Sequence, residues 1–120
     1  MDKINLNEKF SLFEETWTPK IVGDLNESYI KLGKLSVGEF VWHTHDNEDE
    51  MFYVVEGMLD ILFEDKTVSL EPGEFIIVPK GIKHKPVAIT DVKIMLIESK
   101  ATVNTGGVES VFTKTELDWI

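Results

Sequence analysis

The pattern His43-Thr44-His45, followed by Glu50 and the apolar run Met51 to Val55, constrains this chain more than any other feature. Residues two apart on a β-strand leave from the same face, so both imidazoles project together. The run after Glu50 is rich in β-branched and aromatic residues and closes on Gly57, which predicts a second strand with a turn behind it. Two imidazoles on one strand and a carboxylate at the mouth of the next are three parts of a site for a borderline divalent cation. The one remaining histidine, His84, closes the segment Pro79-Lys-Gly-Ile-Lys-His84 and is the fourth candidate. A His-X-His near acidic residues is by itself an ordinary surface feature. The interval to Glu50 and the spacing Pro79-X-Gly81-X-X-His84 set this chain apart. Glu50 is preferred to its acidic neighbours because it adjoins the apolar strand; Asp49 is the runner-up.

From Tyr29 onward the chain reads as short β-type segments: Tyr29–Leu32, Gly33–Val37, Gly38–His45, Met51–Val55, Met58–Phe63, Thr67–Leu70, Phe75–Val78, His84–Ile89 and Val92–Glu98. Turn residues separate them at Gly57, Glu71-Pro-Gly73, Pro79-Lys-Gly81 and Thr90-Asp91. Such spacing argues an all-β sandwich or barrel, not alternating βα units. The expected layout is an N-terminal arm over 1–28 and a β-barrel domain over 29–120. Leu59, Ile61 and Phe63 should share one face, with Asp60 and Leu62 on the other. Met51–Val55 is apolar on both faces. Its outer side therefore needs a cover, from a second subunit or from the arm carrying Phe10, Phe13 and Trp17, and a homodimer is expected. Trp42 and Tyr53 have the opposite parity to the candidate ligands and read as outer-face or interface packing, while Phe52 and Val54 should lie beside the site.

Composition removes several function classes. There is no cysteine, so thiolate catalysis, Cys-ligated zinc and disulfides are all excluded. A formal net charge of −10 should be repelled by nucleic acid and by anionic membrane surfaces, so neither is an expected partner. The first residues, Met-Asp-Lys-Ile-Asn-Leu-Asn-Glu, have no apolar h-region, and no apolar run is long enough to span a bilayer. A cytoplasmic protein with a small-molecule ligand is the default expectation.

The segment Gly38…His43-Thr-His45…Glu50…Gly57 resembles the first motif of the cupin superfamily, and Gly73-Glu-Phe-Ile-Ile-Val-Pro79-Lys-Gly81-Ile-Lys-His84 resembles the second. The wider chain is similar to short cupins related to phosphomannose isomerases, including Val41-Trp-His, Glu50-Met-Phe-Tyr-Val-Val-Glu-Gly, His84-Lys-Pro-Val-Ala and Asn104-Thr-Gly106. Two positions depart from the superfamily pattern. Gly38 stands one residue closer to His43 than usual, and Ala88 replaces a common asparagine. Neither is a ligand position. The resemblance implies a single-domain jelly-roll β-barrel that binds one divalent metal ion (Zn, Mn, Ni or Fe) through His43, His45, Glu50 and His84.

If all three histidines hold metal, none is left as a free general base. Acid–base work would then fall to a carboxylate such as Glu98, to Tyr53 or to metal-bound hydroxide. The first functional expectation is a metal-dependent, isomerase-like enzyme acting on a small carbonyl or sugar-type compound. The alternatives are a mononuclear metal dioxygenase and a non-catalytic ligand-binding cupin with a structural metal. Lys80, Lys83 and Lys85 read as a solvated loop, Asn104-Thr-Gly106 as a turn without chemistry, and Trp119 and Ile120 as a docking terminus.

Overall fold

A computed structural model describes residues 1–120 as one short helix, α1 (Leu6–Phe10), and nine strands. The strands are β1 (Lys20–Leu25), β2 (Ser28–Leu35), β3 (Gly38–Glu39), β4 (Glu50–Glu56) and β5 (Leu59–Phe63), then β6 (Thr67–Leu70), β7 (Phe75–Val78), β8 (His84–Ala88) and β9 (Val92–Ser99). They form a five-stranded sheet ordered β1-β2-β9-β4-β7 and a four-stranded sheet ordered β3-β8-β5-β6, all pairs antiparallel. The strand spacing predicts an all-β sandwich or barrel, and the two sheets form the jelly roll that the resemblance implies.

Alternation decides which side chains enter. On β9, Val92, Ile94, Leu96 and Glu98 are buried while the residues between them are half-buried, and on β4 Glu50, Phe52 and Val54 do the same. From the facing sheet, Leu59 and Ile61 point inward with no exposed surface, and Phe63 packs beside them. The core is the space between these two inner faces. Gly57 closes the β4–β5 turn at φ +90, and any Cβ there would fall 2.2 Å from the Asp91 carbonyl oxygen.

Three local expectations change. Tyr29–Leu32 and Gly33–Val37 are one strand, because Gly33 is not a turn: it lies opposite Ile94, whose Cγ1 would stand 3.2 Å from a Cβ there. The stretch Gly38–His45 holds only two strand residues before it leaves the ladder. Phe40 donates to the Pro86 carbonyl at 2.9 Å, and Pro86 has no N–H to return the bond. Trp17, expected on the outside with Phe10 and Phe13, packs against the main core instead.

The arm does cover part of the outer face. Phe10, Phe13, Val22 and Leu32 form a second apolar cluster, and Val55, Met95 and Ile120 pack on it. The C-terminus docks by Ile120 N–H donating to the Ile21 carbonyl at 3.0 Å, while Trp119 meets the Tyr29 ring edge-on.

Candidate metal centre and its cavity

The structure brings His43, His45, Glu50 and His84 together, all buried, with one potential ligand atom from each lying within 4.8 Å of the others. Their positions follow from the backbone. His43 and His84 exchange backbone hydrogen bonds of 3.0 and 2.9 Å, which fixes the His43–His45 segment against the start of β8. The His45 carbonyl accepts from Gly81 N–H at 2.8 Å, so the Pro79–Gly81 turn is tied to the same strand. Gly106 presses on the backbone between the two histidines: a Cβ there would sit 2.2 Å from the Thr44 carbonyl oxygen. Asn104-Thr-Gly106, which the sequence leaves without a role, is therefore the brace of the His-X-His segment.

The donor set fits a divalent cation on its own chemistry. His43 Nδ1 lies 2.8 Å from the Val41 carbonyl and His84 Nδ1 lies 2.9 Å from the Ile82 carbonyl. A carbonyl only accepts, so both Nδ1 atoms carry the proton and both Nε2 lone pairs are free. His45 Nε2 is buried without a hydrogen-bond partner. Glu50 Oε1 stands 3.3 Å from His84 Nε2 and 3.5 Å from His45 Nε2. Burial pushes the His43 pKa down to about 4, so its imidazole is neutral at physiological pH. Asp49 is exposed and accepts the Lys80 N–H at 2.9 Å; it belongs to the loop, not to the cluster.

Glu98 is the neighbour of this cluster that matters most. It faces Glu50 directly across the β4–β9 ladder, and its Oε1 accepts from Lys31 Nζ at 2.8 Å in a wholly buried ion pair. Two carboxylates opposed on one sheet face repel. Burial, then the charge of Glu50, holds Glu98 well above the usual carboxylate range, with Lys31 pulling the other way. Burial also opposes ionisation of Glu50, but Glu98 and then His45 and His84 override it and hold Glu50 well below that range. Of the two carboxylates, Glu98 is therefore the harder to ionise. Its Oε2 is buried and outside good hydrogen-bond geometry with any partner. The sequence names Glu98 as an acid–base candidate but gives no sign of Lys31, since a lysine between Ile30 and Leu32 reads as a solvent-facing strand residue.

A cavity of about 50 Å³ opens beside His43 and Glu50. Leu35, Phe52, Ile94 and Leu96 wall it, and Glu98 also lines it. Of all its lining residues only Trp17, Phe40 and Asn104 reach solvent, so they bound the way in. Trp17 and Phe40 stack at 5.5 Å and 9°, Phe112 leans on both, and Phe40 meets the His43 ring edge-on at 5.4 Å. Asn104 Nδ2 donates to the Phe112 carbonyl at 2.8 Å and thereby anchors the third ring. Trp42 lies outside this group, under the ammonium groups of Lys83 and Lys85.

A two-sheet jelly roll with three histidines and a glutamate gathered inside it defines the cupin class. The chain belongs to the cupin family, whose Cupin domain matches residues 33–99. It is similar to the uncharacterized protein YdbB of Bacillus subtilis (strain 168), 32% identical over 66% of this chain and 70% of that one. The crystal structure of a cupin-2 domain protein from Shewanella frigidimarina superposes with a TM-score of 0.79, at 47% identity, covering 81% of this chain and 94% of that one. A shorter stretch is similar to acetate kinase EutQ of Clostridioides difficile (strain 630), 39% identical over 42% of this chain but only 32% of EutQ. No helix is long and apolar enough to cross a membrane.

Proposed function

We propose that this chain is a divalent-metal cupin in which His43, His45, Glu50 and His84 hold one ion, and that it acts as an enzyme on a small carbonyl or hydroxyl compound. The observation that carries this reading is the buried, partnerless His45 Nε2 facing a carboxylate among imidazoles whose other nitrogens are already committed to carbonyls. An ion bound there would supply Lewis acidity, with positions beyond the four protein ligands left for substrate or water. The chain's own part is to keep the His43 imidazole neutral, to set the buried Glu98 carboxyl beside the site, and to exclude bulk water with Trp17 and Phe40. Glu98 is the acid–base candidate. Elemental analysis of protein purified without chelator or affinity metal should find one equivalent, lost in His84→Ala and in His45→Ala while the strands persist. A His84→Ala variant that retains full metal removes that ligand from the proposal.

Kinship with the phosphomannose-isomerase-related branch, and an isomerase-like reaction, form the finer part of this proposal. The apolar walls favour one second reading, a dioxygenase on the same ligands, because dioxygen partitions into apolar space. Oxygen uptake by the iron-loaded protein decides between them. Phosphoryl transfer, as the name of EutQ describes for that protein, is not proposed here, because no lysine lines the cavity and the chain has no arginine.

We also propose a homodimer, with no nucleic-acid or membrane partner, and place the protein in the cytoplasm. Outward positions along the middle of β4, β7 and β9 are apolar: Tyr53 opposes Phe75 and Met95, and Met51 opposes Ile77 and Ile97. Phe75 and Ile77 are 58% and 55% exposed, in a chain whose net charge of −10 otherwise favours solvated faces. The arm covers the far half of the same sheet. A second copy is the occupant these paired apolar rows suit.

A further inference from the structure

The cavity's lining narrows the substrate class, and this step rests on the metal reading above. Every wall that is not a metal ligand or Glu98 is apolar or aromatic, apart from Asn104, and Asn104 is tied to Phe112 and Lys114. No cation faces the space. Lys31 reaches it only through Glu98, at 2.8 Å, and Lys85 is turned away to Glu39. A phosphoryl group entering would meet two glutamates and no positive side chain.

The entrance is built as deliberately as the walls. Trp17 sits at φ +57, a left-handed conformation that bulky residues rarely adopt. Two bonds keep it there: its N–H donates to the Lys34 carbonyl at 2.8 Å, and indole Nε1–H donates to Ser36 Oγ at 3.1 Å. The ring lies flat on Phe40, which touches the metal-ligand His43.

We infer that Trp17 and Phe40 form an aromatic roof that selects a flat, largely apolar molecule bearing two adjacent oxygen donors, and that the site rejects phosphorylated and polyhydroxylated compounds. The oxygens reach the ion while the body of the molecule lies against the rings. Trp17 is the specificity-determining residue, because it is a lining aromatic that reaches solvent and carries its own tether. Planar bodies stack on such rings, whereas a hydroxylated one would lose its water to walls that offer no hydrogen bonds.

The test uses the full chain loaded with zinc, in a Trp42→Phe, Trp119→Phe background so that Trp17 alone fluoresces, with catechol and glucose 6-phosphate as probes. Catechol should quench Trp17 and bind at least ~10-fold more tightly than glucose 6-phosphate, and Trp17→Ala should lose ~10-fold of the catechol affinity while Trp17→Phe keeps most of it. Calorimetry supplies the affinities of variants without the fluorophore, and circular dichroism confirms that they fold. Equal or tighter binding of glucose 6-phosphate, or a catechol affinity indifferent to Trp17→Ala, overturns the inference and leaves the metal reading standing. If no zinc binds, the metal reading fails first. Phenol then replaces catechol, and a response to Trp17→Ala keeps the roof while none removes it.

Discussion

At the scale of single residues, the site is a set of groups whose neighbours remove their freedom. His43 is neutral because burial lowers its pKa from 6.5 to about 4. In the metal-free protein this has a signed consequence. Between those two values the unfolded chain binds a proton that the native chain refuses, so stability is intact above pH 6.5 and falls as pH drops toward 4. The loss assigned to His43 is about 3 kcal/mol by linkage. Urea unfolding in chelator at pH 7 and pH 4.5 measures it, and His43→Gln should flatten the difference. Glu98 gives a second prediction. Removing it strands Lys31 in the interior, so Glu98→Ala should cost about 3–5 kcal/mol, and Glu98→Gln, which keeps a polar partner, clearly less. Equal losses would show that charge, not hydrogen bonding, holds the pair. The four clustered residues were legible in the sequence because their types and intervals are distinctive. Lys31 and Trp17 were not, since nothing local distinguishes a buried lysine in a strand or an aromatic that folds back over a cavity.

At the scale of elements, strand alternation was readable wherever one face is buried. Leu59, Ile61 and Phe63 turn inward as their period of two requires. Ile61 has no exposed surface, and Ile61→Ala should cost about 2–5 kcal/mol in chemical denaturation. Boundaries were harder, since they depend on partners. Gly33 reads as punctuation in one dimension and as clearance for Ile94 in three. The segment 104–106 shows the same limit. Its glycine, at φ +59, allows the closing segment to lie on Thr44 between His43 and His45. Gly106→Ala should push that segment off, lower metal affinity, and leave the melting of the distant core strands nearly unchanged. Undiminished metal affinity would refute the bracing role.

At the scale of the whole molecule, the inner faces of the sheets gather the polar cluster and part of one outer face is left apolar. The arm explains why: it lays Phe10 and Phe13 over β2 and Val55, then sends Trp17 inward, so it covers only part of the sheet. Sedimentation should give a dimer at micromolar concentration, and Phe75→Glu with Ile77→Lys should yield a folded monomer that still binds metal. A wild-type monomer would leave the exposed rows unexplained by self-association.

The sequence alone determined the β architecture and the identity of the four clustered donors, because hydrophobic period and residue spacing are properties of the chain itself. Only the tertiary structure decided the Glu50–Glu98 opposition, the tautomers of His43 and His84, and the ring roof. Each of these depends on which strand lies beside which, and register between distant segments is set by the packing of the whole barrel.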